Sequence, residues 1–209
     1  MRFAIAPCIP PWSERSRDRA QPAVTDIRYF AFECVSEIIR LLLAKSKNLV
    51  TMLTIKIANA ALGATVEDLD LTAPLQEADI AELKVALAEY QVLFFRDQDI
   101  SYRNHRDFGT SFGTLQIHPS YPAIDGYPEI LILENDRENP SKIDQWHTDM
   151  SFRPVPPLGS ILVGRVVPEN RGATMFANLA AAFEDLPGSL KKSLEGMTAT
   201  HSFAYGFKD

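Results

Sequence analysis

His147 and Asp149 stand two positions apart in Gln145-Trp146-His147-Thr148-Asp149-Met150-Ser151-Phe152, an imidazole and a carboxylate in an aromatic, apolar setting. On an extended strand, residues i and i+2 project from the same face about 6.6 Å apart along the backbone, so both side chains can converge on one cation. A helix would splay them. One histidine and one carboxylate are two of the three ligands in the facial triad that holds non-haem Fe(II) and leaves positions open for co-substrate and dioxygen. The spacing alone is a weak signal, because a surface histidine beside a turn-forming aspartate gives the same pattern.

The elements that would carry such a pair have to come from one sizeable core. A chain of 209 residues with 46% hydrophobic content can bury that core as a single globular domain. The net charge of -6 and the lack of a basic stripe interleaved with aromatics argue against nucleic-acid binding by phosphate neutralisation. Cys8 and Cys34 have no metal-like spacing, which fits a reducing compartment, no disulfide framework and a cytoplasmic location. The apolar run at Ile38-Ile39-Arg40-Leu41-Leu42-Leu43 is too short for a membrane span and is flanked by Glu33, Glu37 and Lys45, so the expectation is a soluble protein.

Along the chain, residues 1–24 bury little and read as a tail without the pattern of a secretory signal. Residues 26–45 repeat apolar side chains at helical spacing, which predicts an amphipathic helix packed on its own domain, or an extension, rather than a partner-binding or membrane-surface helix. The organised domain is expected to span residues 52–209, leaving 1–51 as an N-terminal extension. Its expected elements begin with a strand over 53–57, a turn at Gly63, a helix over 76–89 and an apolar strand over 92–95. Ser101 is placed to cap a helix reaching about residue 112, on which His105, among Arg103, Asn104 and Arg106, reads as solvated surface. Further strands are expected over 130–133, 160–167, 173–178 and 198–203, with helices over 179–183 and 189–195. Pro119 and Pro122 constrain a loop that presents His118 and Tyr121.

With these residues laid out, the chain from about 53 to 207 resembles the taurine catabolism dioxygenase family of Fe(II)- and 2-oxoglutarate-dependent oxygenases. The resemblance rests on Val92-Leu93-Phe94-Phe95-Arg96-Asp97-Gln98, Ile117-His118-Pro119-Ser120-Tyr121-Pro122, Trp146-His147-Thr148-Asp149, Pro156-Pro157 and Gly172-Ala173-Thr174 in that order. It implies a mainly β or α+β fold: a partial double-stranded β-helix, or jelly roll, with packed helices. It also implies Fe(II) bound by His147 and Asp149, and Thr174 hydrogen-bonded to 2-oxoglutarate as co-substrate. His118, Tyr121 and Phe207 match positions around the substrate, a small sulfonate or related acid that is hydroxylated with dioxygen to release succinate and CO2. Thr174 would equally suit a plain strand, Tyr121 and Phe207 would equally suit core packing, and Trp146 is assigned to packing and support of the site.

The sequence departs from the family at two places. Ile143 stands where taurine dioxygenases carry an active-site asparagine, which turns the expectation from taurine towards another sulfonate, a sulfate ester or a carboxylate. The four histidines are His105, His118, His147 and His201, and none matches the family's second iron histidine, which in its members lies beyond position 209, as does an arginine that pairs with 2-oxoglutarate. The chain is therefore expected to act as an incomplete, weakly active or inactive fragment. A non-catalytic jelly-roll binding or assembly module and a zinc hydrolase are the alternatives, and a homo-oligomer is left open.

Overall fold

The computed structural model describes residues 5–7, 53–59, 62–138, 140, 146–169 and 173–203. The helix expected over 26–45 lies outside the described residues.

Two short stretches alternate apolar and polar side chains and form an antiparallel pair, β2 (Thr54–Ile57) and β3 (Ala64–Glu67), with Thr54 opposite Glu67. Gly63, at φ 93°, makes the turn that brings them together, a left-handed conformation that costs glycine little. Helix α1 (Glu77–Tyr90) then crosses over, and β4 (Leu93–Phe95) returns parallel to β3, with Ala64 opposite Leu93. The C-terminus of α1 is closed by Gln91 at φ 63°, whose N–H donates to the Leu87 carbonyl at 2.8 Å. This three-stranded sheet and α1 enclose most of the core: Ala64, Val66, Leu83, Ala86, Leu87, Leu93 and Phe95 are all buried. Helix α2 (Tyr102–Thr110) begins at Ser101, whose hydroxyl accepts from the Asn104 N–H at 3.2 Å, and it adds Phe108 to the same core, edge-on to Phe95 at 5.5 Å. Gln98 holds the loop above by accepting from the Leu71 N–H at 3.0 Å and donating to the Leu69 carbonyl at 2.9 Å.

Beyond α2 come two small sheets. The strands β5 (Ala123–Ile124) and β6 (Tyr127–Leu131) pair antiparallel, and β7 (Gly159–Ile161) pairs antiparallel with β1 (Ile5–Pro7). Two short helices follow, α3 (Leu179–Glu184) and α4 (Gly188–Leu194). Helices and sheets of an α+β chain are therefore present, in three separate sheets of two, three and two strands among the described residues.

Several expectations are corrected. Residues 5–7 pair with β7 in place of a wholly unstructured tail. The strand expected over 160–167 stops at Ile161, and 173–178 and 198–203 form no strand. An apolar run becomes a strand only where a partner ladder meets it, and Val166 and Val167 instead stand 91% and 48% exposed. His105 is not solvated surface: it is half-buried, with Nε2 3.2 Å from the carbonyl oxygen of Ile161 in β7. Gly109, the next-to-last residue of α2, permits that close approach, since a Cβ there would meet a Leu115 methyl at 2.9 Å and Ile161 at 3.6 Å.

Candidate functional site

The His147–Asp149 pair does not lie on a strand. His147 is in an irregular connection and Asp149 opens a turn continued by Met150 at φ 50°. The turn achieves what the pleat was expected to do, because His147 Nε2 and Asp149 Oδ1 stand 3.2 Å apart. The other carboxylate oxygen, Oδ2, accepts a hydrogen bond from Ser160 Oγ of β7 at 3.0 Å. Both side chains remain about half exposed, at 54% and 52%.

The turn after Asp149 is tied to two distant segments. Ser151 Oγ and His201 Nδ1 are 2.8 Å apart, and Phe152 packs edge-on to Phe203 at 5.0 Å. Arg153 donates through Nη2 to the Ile117 carbonyl at 3.3 Å, while its Nε is buried with no hydrogen-bond partner. The loop carrying His118 and Tyr121 therefore rests against this turn. The two rings lie 4.8 Å apart, and His118 is 6.4 Å from Phe203.

Burial, and then the neighbouring Arg153 guanidinium, hold the His118 imidazole below its ordinary pKa, with the Asp149 carboxylate opposing them. Its Nδ1 accepts from the Ser120 N–H at 3.2 Å, so in the neutral ring the proton sits on Nε2. His118 is thus a neutral donor on the same side of the molecule as Asp149.

The structure sets His147 beside Asp149 and His118 beside Tyr121, with His118 within electrostatic reach of Asp149. Thr174 is exposed, lies outside any strand and makes no hydrogen bond among the described residues. Phe207 and Ile143 lie outside the described residues. Trp146 is 68% exposed and so does not pack as expected, because no described segment covers it. His201 serves Ser151 rather than the His147–Asp149 pair, and no group of three or more His, Cys, Asp or Glu side chains that could hold a metal occurs among the described residues. Sequence reasoning missed Ser160, Arg153, Phe152 and Phe203. Only the position of Phe152 and Arg153 in the Asp149 turn could have hinted at their part, since every one of these contacts is long-range. Two surface grooves of about 520 and 330 Å³ lie away from this constellation, the larger lined by Asp68, Asp70, Arg96, Asp97, Gln98 and Asp99 among others.

A family model described as taurine catabolism dioxygenase TauD, TfdA family matches residues 54–209. The chain is 36% identical over 147 residues to an alkylsulfatase of Acinetobacter baylyi, an alignment covering 70% of this chain and 46% of that protein. It is 32% identical over 147 residues to an alpha-ketoglutarate-dependent sulfate ester dioxygenase of Pseudomonas putida, covering 70% of this chain and 48% of that one. The chain thus spans about half the length of these relatives. A taurine dioxygenase structure from Burkholderia xenovorans superposes with a TM-score of 0.35 at 32% identity, over 36% of this chain and 28% of that chain.

Proposed function

Because the chain belongs to the taurine catabolism dioxygenase TauD, TfdA family, we propose that it serves the Fe(II)- and 2-oxoglutarate-dependent oxidation of a small organic acid, with His147 and Asp149 as two of the iron ligands. The observation that carries the proposal is the 3.2 Å separation of His147 Nε2 and Asp149 Oδ1. Imidazole nitrogen and carboxylate oxygen bind transition metals at about 2.0–2.2 Å, and two such bonds at right angles separate their donor atoms by about 3 Å. The pair therefore fits adjacent corners of one coordination sphere. Bound there, iron with 2-oxoglutarate would supply the dioxygen chemistry whose co-products are succinate and CO2.

The chain's own residues bind and orient. His118, neutral with its proton on Nε2, is suited to donate to an anionic substrate oxygen without carrying charge itself. Tyr121, Phe152 and Phe203 supply an aromatic wall beside it. Thr174 is assigned to a carboxylate of 2-oxoglutarate and Phe207 to the substrate's apolar part, both on the family's motif positions. The proposed substrate class is sulfate esters, sulfonates and related acids, supported by the sulfate ester dioxygenase and the alkylsulfatase among the relatives. Ile143 in place of a hydrogen-bonding amide argues for an acid other than taurine. The fold proposed for the domain is a jelly roll to which β5, β6 and β7 contribute.

Anaerobic titration with Fe(II) and then 2-oxoglutarate tests this, read by the visible charge-transfer band of the chelate. With two ligands assembled among the described residues, a faint band is expected. His147→Ala and Asp149→Ala should each weaken Fe(II) uptake by about 100-fold or more, beyond the roughly 10–100-fold typical of outer-shell losses. Uptake indifferent to both substitutions would overturn the assignment.

A further inference from the structure

Asp149 presents its two oxygens to different neighbours. Oδ1 faces His147 Nε2 at 3.2 Å, and Oδ2 accepts from Ser160 Oγ at 3.0 Å. A free carboxylate half exposed to water rotates about its last torsion and can chelate a cation with one oxygen or with both. Here a hydroxyl donor holds Oδ2, and with the carboxylate set in that orientation Oδ1 faces the imidazole. The donor itself is well anchored. Ser160 is the middle residue of β7, opposite Ala6 of β1, and the carbonyl of the next residue, Ile161, receives His105 Nε2 at 3.2 Å. Helix α2 and the β1–β7 ladder thus fix the strand that fixes the carboxylate.

We propose that Ser160 is a positioning residue for the metal pair: its hydroxyl holds Asp149 in a one-oxygen binding geometry with Oδ1 turned to His147. The inference rests on the assignment of His147 and Asp149 as ligands and adds a residue that touches neither iron nor substrate. Outer-shell hydrogen bonds of this type orient ligands and are worth about 10–100-fold in metal affinity.

The test uses the full 209-residue chain and Co(II), which is stable in air, with affinity and ligand-field absorption as readouts. Ser160→Ala is expected to weaken Co(II) binding by about 10–100-fold and to alter the absorption spectrum as the freed carboxylate changes its mode of binding. Ser160→Thr, which keeps the hydroxyl, should restore both, while Ser193→Ala, on the exposed face of α4, should change neither. If Ser160→Ala lowers the melting temperature, both chains are titrated at a temperature where circular dichroism shows each fully folded, and the expected loss of affinity and change of spectrum are unaltered. Wild-type affinity and spectrum in Ser160→Ala would overturn the proposal, as would a threonine variant as weak as the alanine one. Co(II) uptake that survives His147→Ala unchanged would instead overturn the ligand assignment beneath it, so the two failures are told apart.

Discussion

His105 links α2 to β7 through its bond to the Ile161 carbonyl, and the geometry requires a proton on Nε2. Burial is the largest influence on this imidazole and lowers its pKa, the Ile161 carbonyl opposes, and Arg165 lowers it further. A histidine with a depressed pKa in the folded state binds fewer protons folded than unfolded. Its contribution to stability is complete above the ordinary value of 6.5 and is lost as pH falls through and below it. His118 is shifted in the same direction, by burial first and Arg153 second, and adds to the slope. The melting temperature is therefore expected to drop as pH is lowered from 7.5 to 5.5, and His105→Gln should flatten that profile; a profile identical in wild type and variant would contradict the assignment. None of this was legible in the sequence around His105. Arg103, Asn104 and Arg106 suggest water on all sides, whereas the groups that desolvate the ring arrive from a strand 56 residues away.

Elements that depend on local signals were legible, and elements that depend on partners were not. Ser101 capping α2, the apolar strand at 93–95 and the helix over 77–90 follow from capping chemistry and periodicity within a few residues. Strands β1 and β7 required knowing that residues 5–7 would pair with 159–161, which no local pattern reveals. At this scale the best-supported unit is the β3–α1–β4–α2 assembly, in which Phe95 is fully buried and packs edge-on to Phe108, itself edge-on to Phe112 at 5.2 Å. Phe95→Ala should destabilise the chain by about 3–5 kcal/mol, as is usual when a buried aromatic leaves a cavity. Denaturant unfolding followed by circular dichroism checks it, and a loss under about 1 kcal/mol would show that this assembly does not set global stability.

Across the whole molecule, core and candidate site occupy different stretches of chain. Every buried apolar side chain among the described residues falls between Ala64 and Ile130, and none of the described residues from 146 to 203 is buried. The site was legible in the sequence for a different reason than the core was. His147 and Asp149 were found by residue type and spacing, although a turn rather than a strand brings them together. The residues that hold the turn, Ser160, His201 and Arg153, act through contacts 11 to 50 residues apart and carry no motif. Leu158, Leu162, Val166, Met175 and Leu179 stand exposed on this half of the chain.

The indole of Trp146 is 68% open to solvent and bonded in sequence to His147. It therefore makes a fluorescent gauge of the neighbouring imidazole. In a Trp12→Phe background it is the sole tryptophan, and its emission should sit at the red end of the indole range. Paramagnetic Co(II) arriving at His147 is expected to quench that light in proportion to occupancy, and His147→Ala should leave the lamp undimmed.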